Sequence, residues 1–261
     1  MRIGLIGGGN IGKFLLQSIN MNGLLPDGKI VGLYSRNQQS AEQLAREFDT
    51  ENYLDIQSLI ESAAIDLVIE AANIQVVKDY AAAILKSGKD LVVSSVGALA
   101  DGDFYQQLEG ICQEARSKIY LPAGAIGGLD ILKAAKSIGE LESVSIITRK
   151  PPMALPGAPA DREQVMFEGT AKEAIELFPK NINVSIILSL AGLGPYKTGV
   201  KIISDPAVRK NSHLIEAAGS FGALSLQVEN DPMPNNPKTS YLAALSVLAV
   251  LKNKDAVVKV G

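Results

Sequence analysis

The sequence has no tryptophan, one cysteine and one histidine in 261 residues. One cysteine, Cys112, excludes an internal disulfide and any cysteine-rich zinc site, so no metal is expected. Cys112 itself reads as a half-buried helix residue. Long apolar runs are also missing. The longest, "YLAALSVLAVL", has 11 residues, whereas a membrane span needs roughly 18 or more. It reads as a buried helix, and no membrane partner is expected. Neither sign of charge dominates: 25 Lys and Arg stand against 28 Asp and Glu, a net charge of −3. With no clustered basic face, nucleic acid is not an expected partner. The chain opens directly on a strand pattern, so a signal peptide is not expected, and a cytoplasmic location fits.

What is present is the composition of a globular protein, 47% hydrophobic and 20% charged, long enough for one large domain or two small ones. Short apolar runs punctuate the first 120 residues: "RIGLIG", "KIVGLYS" (29–35), "DLVIEAA" (66–72), "DLVVSSV" (90–96) and "KIYLPAG" (118–124). Between them lie the helical patterns "IGKFLLQSI", "QQSAEQLAREF", "IQVVKDYAAAILKSG" (ending at Gly88) and "DFYQQLEGICQEARSK". Apolar strands alternating with helices predict a parallel sheet covered on both faces.

At the first strand–helix junction stands "GGGNIG". Gly7 allows a tight turn, Gly9 lets the backbone approach a pyrophosphate, and Gly12 lets the helix pack on the strand. Asn10 and Ile11 begin the helix, whose N-terminal N–H groups attract phosphate. A strand before the glycines and another ending near position 35 supply the context for a Rossmann-type dinucleotide site. The second strand ends in "LYSRN", with Ser35 and Arg36 where a carboxylate would hold an adenosine ribose 2′-hydroxyl. Serine can donate to a 2′-phosphate and arginine can pair with it, so NADP is expected to bind well, at least as well as NAD.

The rhythm changes after "PAGAIGGLD". "LSLQVEN" (224–230) alternates apolar and polar residues, and "SVSIITRK" and "GVKIIS" are similar. Such strands belong to a sheet with one covered face. "KPPMALPGAPADRE" (150–163) is a proline-rich loop or lid, and "DPMPNNPK" (231–238) breaks the chain before a last helix "TSYLAALSVLAVLKN". The expected fold is α/β: a Rossmann-type parallel-sheet domain (1–120 with 237–261), and a second α/β domain with an open mixed sheet (121–236).

Seven stretches in order, "GGGNIG", "PAGAIGGLD", "TRKPP", "FPKNINV", "SDPAV", "HLIEAAGSFGAL" and "NPKTS", give the chain a family resemblance. Along essentially its whole length it resembles the L-aspartate dehydrogenases. The resemblance implies NAD- or NADP-dependent oxidation of L-aspartate to iminoaspartate. That product is hydrolysed to oxaloacetate and ammonia, or passed to quinolinate and NAD synthesis; the reverse reaction is reductive amination of oxaloacetate. It also implies a homodimer. It places the active-site histidine on His213 and nicotinamide-side contacts on Ala125 and Asn183. Many members carry an aspartate where this chain has Ser35, which bears on NAD preference and not on the reaction.

A substrate with two carboxylates calls for cations and polar donors. Lys238, with Thr239 and Ser240 beside it, is the first candidate, delivered by "PNNPK" to the start of the last helix. Lys150, closing "SIITRK", is the second. Asn181 reads as the cap of its helix, leaving Asn183 one turn inward and free to reach the nicotinamide amide. On a strand, His213, Ile215 and Ala217 share one face. Histidine titrates near working pH, so His213 is read as a base, a water activator or, when cationic, a carboxylate anchor. Two other assignments share the nucleotide fold: a reductase of the dihydrodipicolinate reductase or homoserine dehydrogenase type, and a dinucleotide-sensing protein without turnover.

Overall fold

The computed structural model describes residues 1–178, 183–233 and 236–258, and the side chains of 236–238 fall outside it as well. The chain forms two compact units. One runs from Met1 to Pro122 and takes up the chain again from Val247; the other runs from Ala123 to Ser246.

In the first unit, strands and helices alternate: β1 (Arg2–Ile6), α1 (Asn10–Leu16), β2 (Lys29–Tyr34), α2 (Gln38–Glu47), β3 (Glu51–Asn52), α3 (Ile56–Glu61), β4 (Leu67–Glu70), α4 (Ile74–Lys86), β5 (Asp90–Val93), α5 (Gly102–Ala115) and β6 (Ile119–Tyr120). The strands form a six-stranded parallel sheet in the order β3-β2-β1-β4-β5-β6. β4 is buried along its length, as expected of a strand covered on both faces. Ile3, Leu5, Ile30, Leu33, Leu67, Ile69 and Val92 of the sheet pack with Leu15 and Leu16 of α1. Each such burial stabilises by roughly 1.5–3 kcal/mol. Helix starts are marked chemically: the side chains of Asn37, Asp55, Asn73 and Asp101 each accept a backbone N–H at the start of α2, α3, α4 and α5.

Some local expectations change. The expected fifth strand, 118–124, contracts to Ile119–Tyr120; Pro122, which has no N–H, and the glycine turn beyond it end the ladder. α1 continues as a π-helical turn, Gln17–Met21. There Asn20 reaches β2 and Phe48: its Nδ2 donates to Ile30 O and Phe48 O, and its Oδ1 accepts from Ile30 N.

The second unit contains α6 (Leu129–Lys136), β7 (Leu141–Lys150), β8 (Gln164–Thr170), α7 (Ala171–Leu177), α8 (Asn183–Ala191), β9 (Thr198–Ser204), β10 (Asn211–Gly219), β11 (Gly222–Asn230), and the short β12 (Pro232–Met233) and β13 (Asn236–Ser240). Its five-stranded sheet has the order β11-β10-β7-β9-β8. β7 and β9 are parallel and the other pairs antiparallel, so the sheet is mixed. A capping box starts α7, with Thr170 and Glu173 satisfying each other's backbone N–H. The last helix, α9 (Tyr241–Lys254), starts in this unit and ends in the first. Within the second unit Ser246 Oγ accepts from Gly124 N at 3.1 Å, which holds the first turns of α9 there.

Candidate active site

The glycine turn lies in the first unit, between β1 and α1. Gly7 has φ +120°, and a Cβ there would stand 2.4 Å from Ala71 O. A Cβ on Gly12 would stand 2.0 Å from Gly7 O, so the start of α1 sits directly on the turn. Gly9 is different: nothing lies within 4 Å of its Cβ position, and Gly9 and Asn10 are exposed while Ile11 is half-buried. Two glycines are therefore required by the fold, and the third opens on solvent at a helix N-terminus. This cradle fits a dinucleotide pyrophosphate.

Ser35 follows β2 and borders the turn, its Oγ 3.2 Å from the Cβ position of Gly8. Arg36 beside it is exposed. Gln38 donates to Ser35 O at 3.2 Å and to Leu54 O at 3.3 Å, fixing the backbone that presents both residues. Glu70, which the sequence reading did not single out, ends β4 fully buried. Its carboxylate accepts from Ala72 N at 2.7 Å, Ser95 N at 2.9 Å and Ser95 Oγ at 2.9 Å. Burial raises its pKa, against the pull of these donors. Glu70 thus ties the loop after β4, including the Ala71 carbonyl that confines Gly7, to the loop after β5.

The second unit supplies a polar face. His213 on β10 lies directly opposite Thr148 on β7, with Ile202 of β9 and Val228 of β11 completing the row. The next row begins with Ser204 on β9 paired to Lys150 on β7, and ends with Asn230 on β11. Period-two alternation puts Val144, Ile146, Thr148 and Lys150 on the face shared by His213, Ile215 and Ala217. Thr148, Lys150, Ser204, His213 and Asn230 are all buried. One end of an otherwise apolar face is therefore a closed polar cluster.

Thr148 Oγ1 lies 2.9 Å from His213 Nδ1, and the ring tautomer sets which of them donates. Burial, and then the charge of Lys150, lower the His213 pKa to about 3. Burial lowers the Lys150 ammonium from 10.5 to about 8. At neutral pH, then, the pair is a neutral imidazole beside a charged ammonium. A neutral ring does not attract a carboxylate by charge.

Ala125 lies against the same face: its carbonyl accepts from Asn230 Nδ2 at 3.0 Å. Gly128, at φ +73°, lets the loop descend onto β11, where Leu224 and Leu226 lie 3.3 Å from its Cβ position. Asn183 is exposed, at the first described position of α8. Asn181, expected as the cap, lies outside the described residues. Lys238, Thr239 and Ser240 lie on β13 and not at a helix start; Ser240 pairs with Pro232 of β12, and α9 begins at Tyr241. The side chain of Lys238 lies outside the description. Thr148, Ser204 and Asn230 were missed as site residues. Alternation puts Thr148 on the face of Lys150, but strand order was needed to bring Ser204, His213 and Asn230 beside them.

Comparison with known proteins covers the whole chain. Residues 130–254 match the family model described as aspartate dehydrogenase, C-terminal. Residues 7–122 match the one described as homoserine dehydrogenase, NAD binding domain. The chain is 41% identical to an L-aspartate dehydrogenase of Nitrosopumilus maritimus, over 96% of this chain and 95% of that protein. It is 42% identical to an L-aspartate dehydrogenase of Methanospirillum hungatei, over 100% and 99% respectively. The crystal structure of aspartate dehydrogenase from Thermotoga maritima superposes with a TM-score of 0.82 at 30% identity, covering 100% of this chain and 99% of that one.

Proposed function

The chain belongs to the L-aspartate dehydrogenase family, and on that premise we propose that it oxidises L-aspartate at Cα, using NAD(P), with His213 as the proton-transfer residue. The observation that carries this is the buried row of Thr148 and His213 with Lys150 beside it. The first unit holds the dinucleotide: Gly7, Gly9, Asn10, Ile11 and Gly12 take the pyrophosphate, and Ser35 and Arg36 the adenosine ribose, with or without its 2′-phosphate. Ala125 and Asn183 take the nicotinamide side. Lys150 and, from β13, Lys238, Thr239 and Ser240 take the substrate carboxylates.

When bound, the nicotinamide supplies the hydride acceptor. The protein must do the rest. The amine has to be neutral before Cα loses hydride, so a base must take an ammonium proton. Thr148 occupies Nδ1 of His213, which leaves Nε2 for that proton. Nε2 accepts only when Nδ1 carries the ring hydrogen and donates it to Thr148 Oγ1. In the free protein burial, and then the charge of Lys150, depress the basicity of the ring. A substrate carboxylate beside Lys150 offsets the second of these and raises the imidazole pKa. Substrate binding therefore makes the ring a better base. The imidazolium must return that proton to solvent before the neutral ring takes one from the water that adds to the iminium carbon; it passes this second proton to the nitrogen of the resulting carbinolamine, which leaves as ammonia and gives oxaloacetate.

Among the described residues no helix is long and apolar enough to cross a membrane; a cytoplasmic homodimer is the assembly proposed. The direct test is a four-way assay, L-aspartate or oxaloacetate plus ammonia, each with NAD and NADP cofactors, followed by nicotinamide absorbance. Turnover of aspartate and of oxaloacetate with ammonia is expected. Tight dinucleotide binding without turnover in any arm would instead favour a sensor.

A further inference from the structure

Ser204 ends β9 with its side chain fully buried, and among the described residues its Oγ has no hydrogen-bonding partner. A buried polar group left unpaired is destabilising. The position of the orphan hydroxyl is also specific. Ser204 is the register partner of Lys150, on the same face of two parallel strands. The pairing is locked just beyond: Asp205 N donates to Lys150 O at 2.9 Å, and Arg149 pairs with Asp205 at 3.1 Å. Ser204 and Lys150 are thus held as neighbours on one face, one row from His213.

Both groups are donors. A hydroxyl and an ammonium on neighbouring strands of one face are complementary to an anion. Asn230 Oδ1, at the far end of the row, is also without a partner among the described residues, but it is an acceptor and does not join this pair. We propose that Ser204 is a substrate-binding residue, its hydroxyl donating to the carboxylate that pairs with Lys150, so that the two together select a dicarboxylic substrate. This rests on the function proposed above. Closing β9 with an apolar residue of similar size would satisfy the core but leave the carboxylate one donor short.

The test is titration of the cofactor-loaded enzyme with succinate, an unreactive dicarboxylate, by calorimetry, beside steady-state kinetics with L-aspartate. Ser204→Ala is expected to weaken succinate about 10-fold or more, the range for a hydrogen bond to a charged group. KM for L-aspartate should rise by the same factor, with kcat within about threefold of the parent. The melting temperature of the free protein should stay level or rise, because an unpaired buried hydroxyl is removed. Ser204→Cys, which keeps the volume and weakens the donor, should follow Ser204→Ala. Succinate binding at the parent level in either variant overturns the assignment. So does a marked loss of melting temperature in both, which would make Ser204 a structural residue. If the parent enzyme neither binds succinate nor oxidises L-aspartate, the proposed function fails first and the role of Ser204 with it.

Discussion

Thr148 and His213 face each other across β7 and β10, with Thr148 Oγ1 2.9 Å from His213 Nδ1 in a buried setting. Two neighbouring strands therefore hold the imidazole, and one hydroxyl bonds its Nδ1 and orients the ring. Thr148→Val keeps the shape and removes the hydroxyl. A neutral buried hydrogen bond contributes about 0.5–1.5 kcal/mol, so kcat is expected to fall roughly 3–10-fold with the dinucleotide dissociation constant unchanged. Thr148→Ser should restore most of the rate. If Val and Ser variants turn over alike, Thr148 does not orient the ring.

His213→Ala removes the proposed base. General base catalysis is worth about 100–10,000-fold, and this chain has no second histidine to substitute. Turnover should drop by about 100-fold or more while NAD(P)H binding, followed by fluorescence, stays close to the parent. Near-parental turnover would remove His213 from the mechanism.

The same histidine should leave a mark on stability. In the fold it stays neutral down to about 3, whereas its ordinary value is 6.5. Between those limits the unfolded chain binds a proton that the folded chain does not, so stability falls as pH falls from 6.5 toward 3. The slope for one group is at most about 1.4 kcal/mol per pH unit. His213→Gln should flatten acid unfolding curves over that window. Lys150 acts in the same sense at the alkaline end. Its ammonium is lowered to about 8 from 10.5, so stability rises with pH across that interval, and Lys150→Met should remove the rise. Denaturant titrations at several pH values check both, and parallel curves for parent and variants would contradict the burial argument.

The three glycines of the turn should separate folding from binding. At Gly12 a Cβ would stand 2.0 Å from Gly7 O, so Gly12→Ala is expected to lower the melting temperature. At Gly9 no protein atom lies within 4 Å of a Cβ. Gly9→Ala should fold like the parent yet bind NAD(P)H at least about 10-fold more weakly, because the methyl occupies the path of the pyrophosphate. Parental dinucleotide affinity in Gly9→Ala would mean that the phosphates lie elsewhere.

The parallel sheet was legible because β1, β2, β4 and β5 are short apolar runs set between capped amphipathic helices, a local signal. The alternation of His213, Ile215 and Ala217 was legible for the same reason. Ser204 and Asn230 were not, because strand order decides which residues become neighbours: β9 inserts between β7 and β8, and β10 lies on the other side of β7. No periodicity within one strand encodes that order. The start of α9 was misread because the register of β13 with β12 continues as far as Ser240, and helix propensity in "TSYLAAL" yields to the pairing. Glu70 escaped because a carboxylate inside an apolar run carries no pattern; its use appears only when the loops after β4 and β5 converge on it.

Cofactor choice is proposed to turn on Ser35. The residue after β2 meets the adenosine ribose in this fold, and here it is a small hydroxyl whose Oγ lies 3.2 Å from the Cβ position of Gly8, with exposed Arg36 next in the chain. Serine and arginine can both donate to a 2′-phosphate; arginine cannot accept from a 2′-hydroxyl, and a neutral serine accepts less strongly than a carboxylate does. NADPH is therefore expected to bind at least as tightly as NADH. Ser35→Asp introduces an acceptor for the ribose and a negative charge against the phosphate. Its dissociation constants, measured by nicotinamide fluorescence, should shift toward NADH by about 10-fold or more in ratio, mainly through loss of NADPH affinity at low salt. Arg36→Ala should weaken NADPH and leave NADH unaffected. If the NADPH/NADH ratio does not move in either variant, these two residues do not read the 2′ position, and discrimination must come from another element of the first unit.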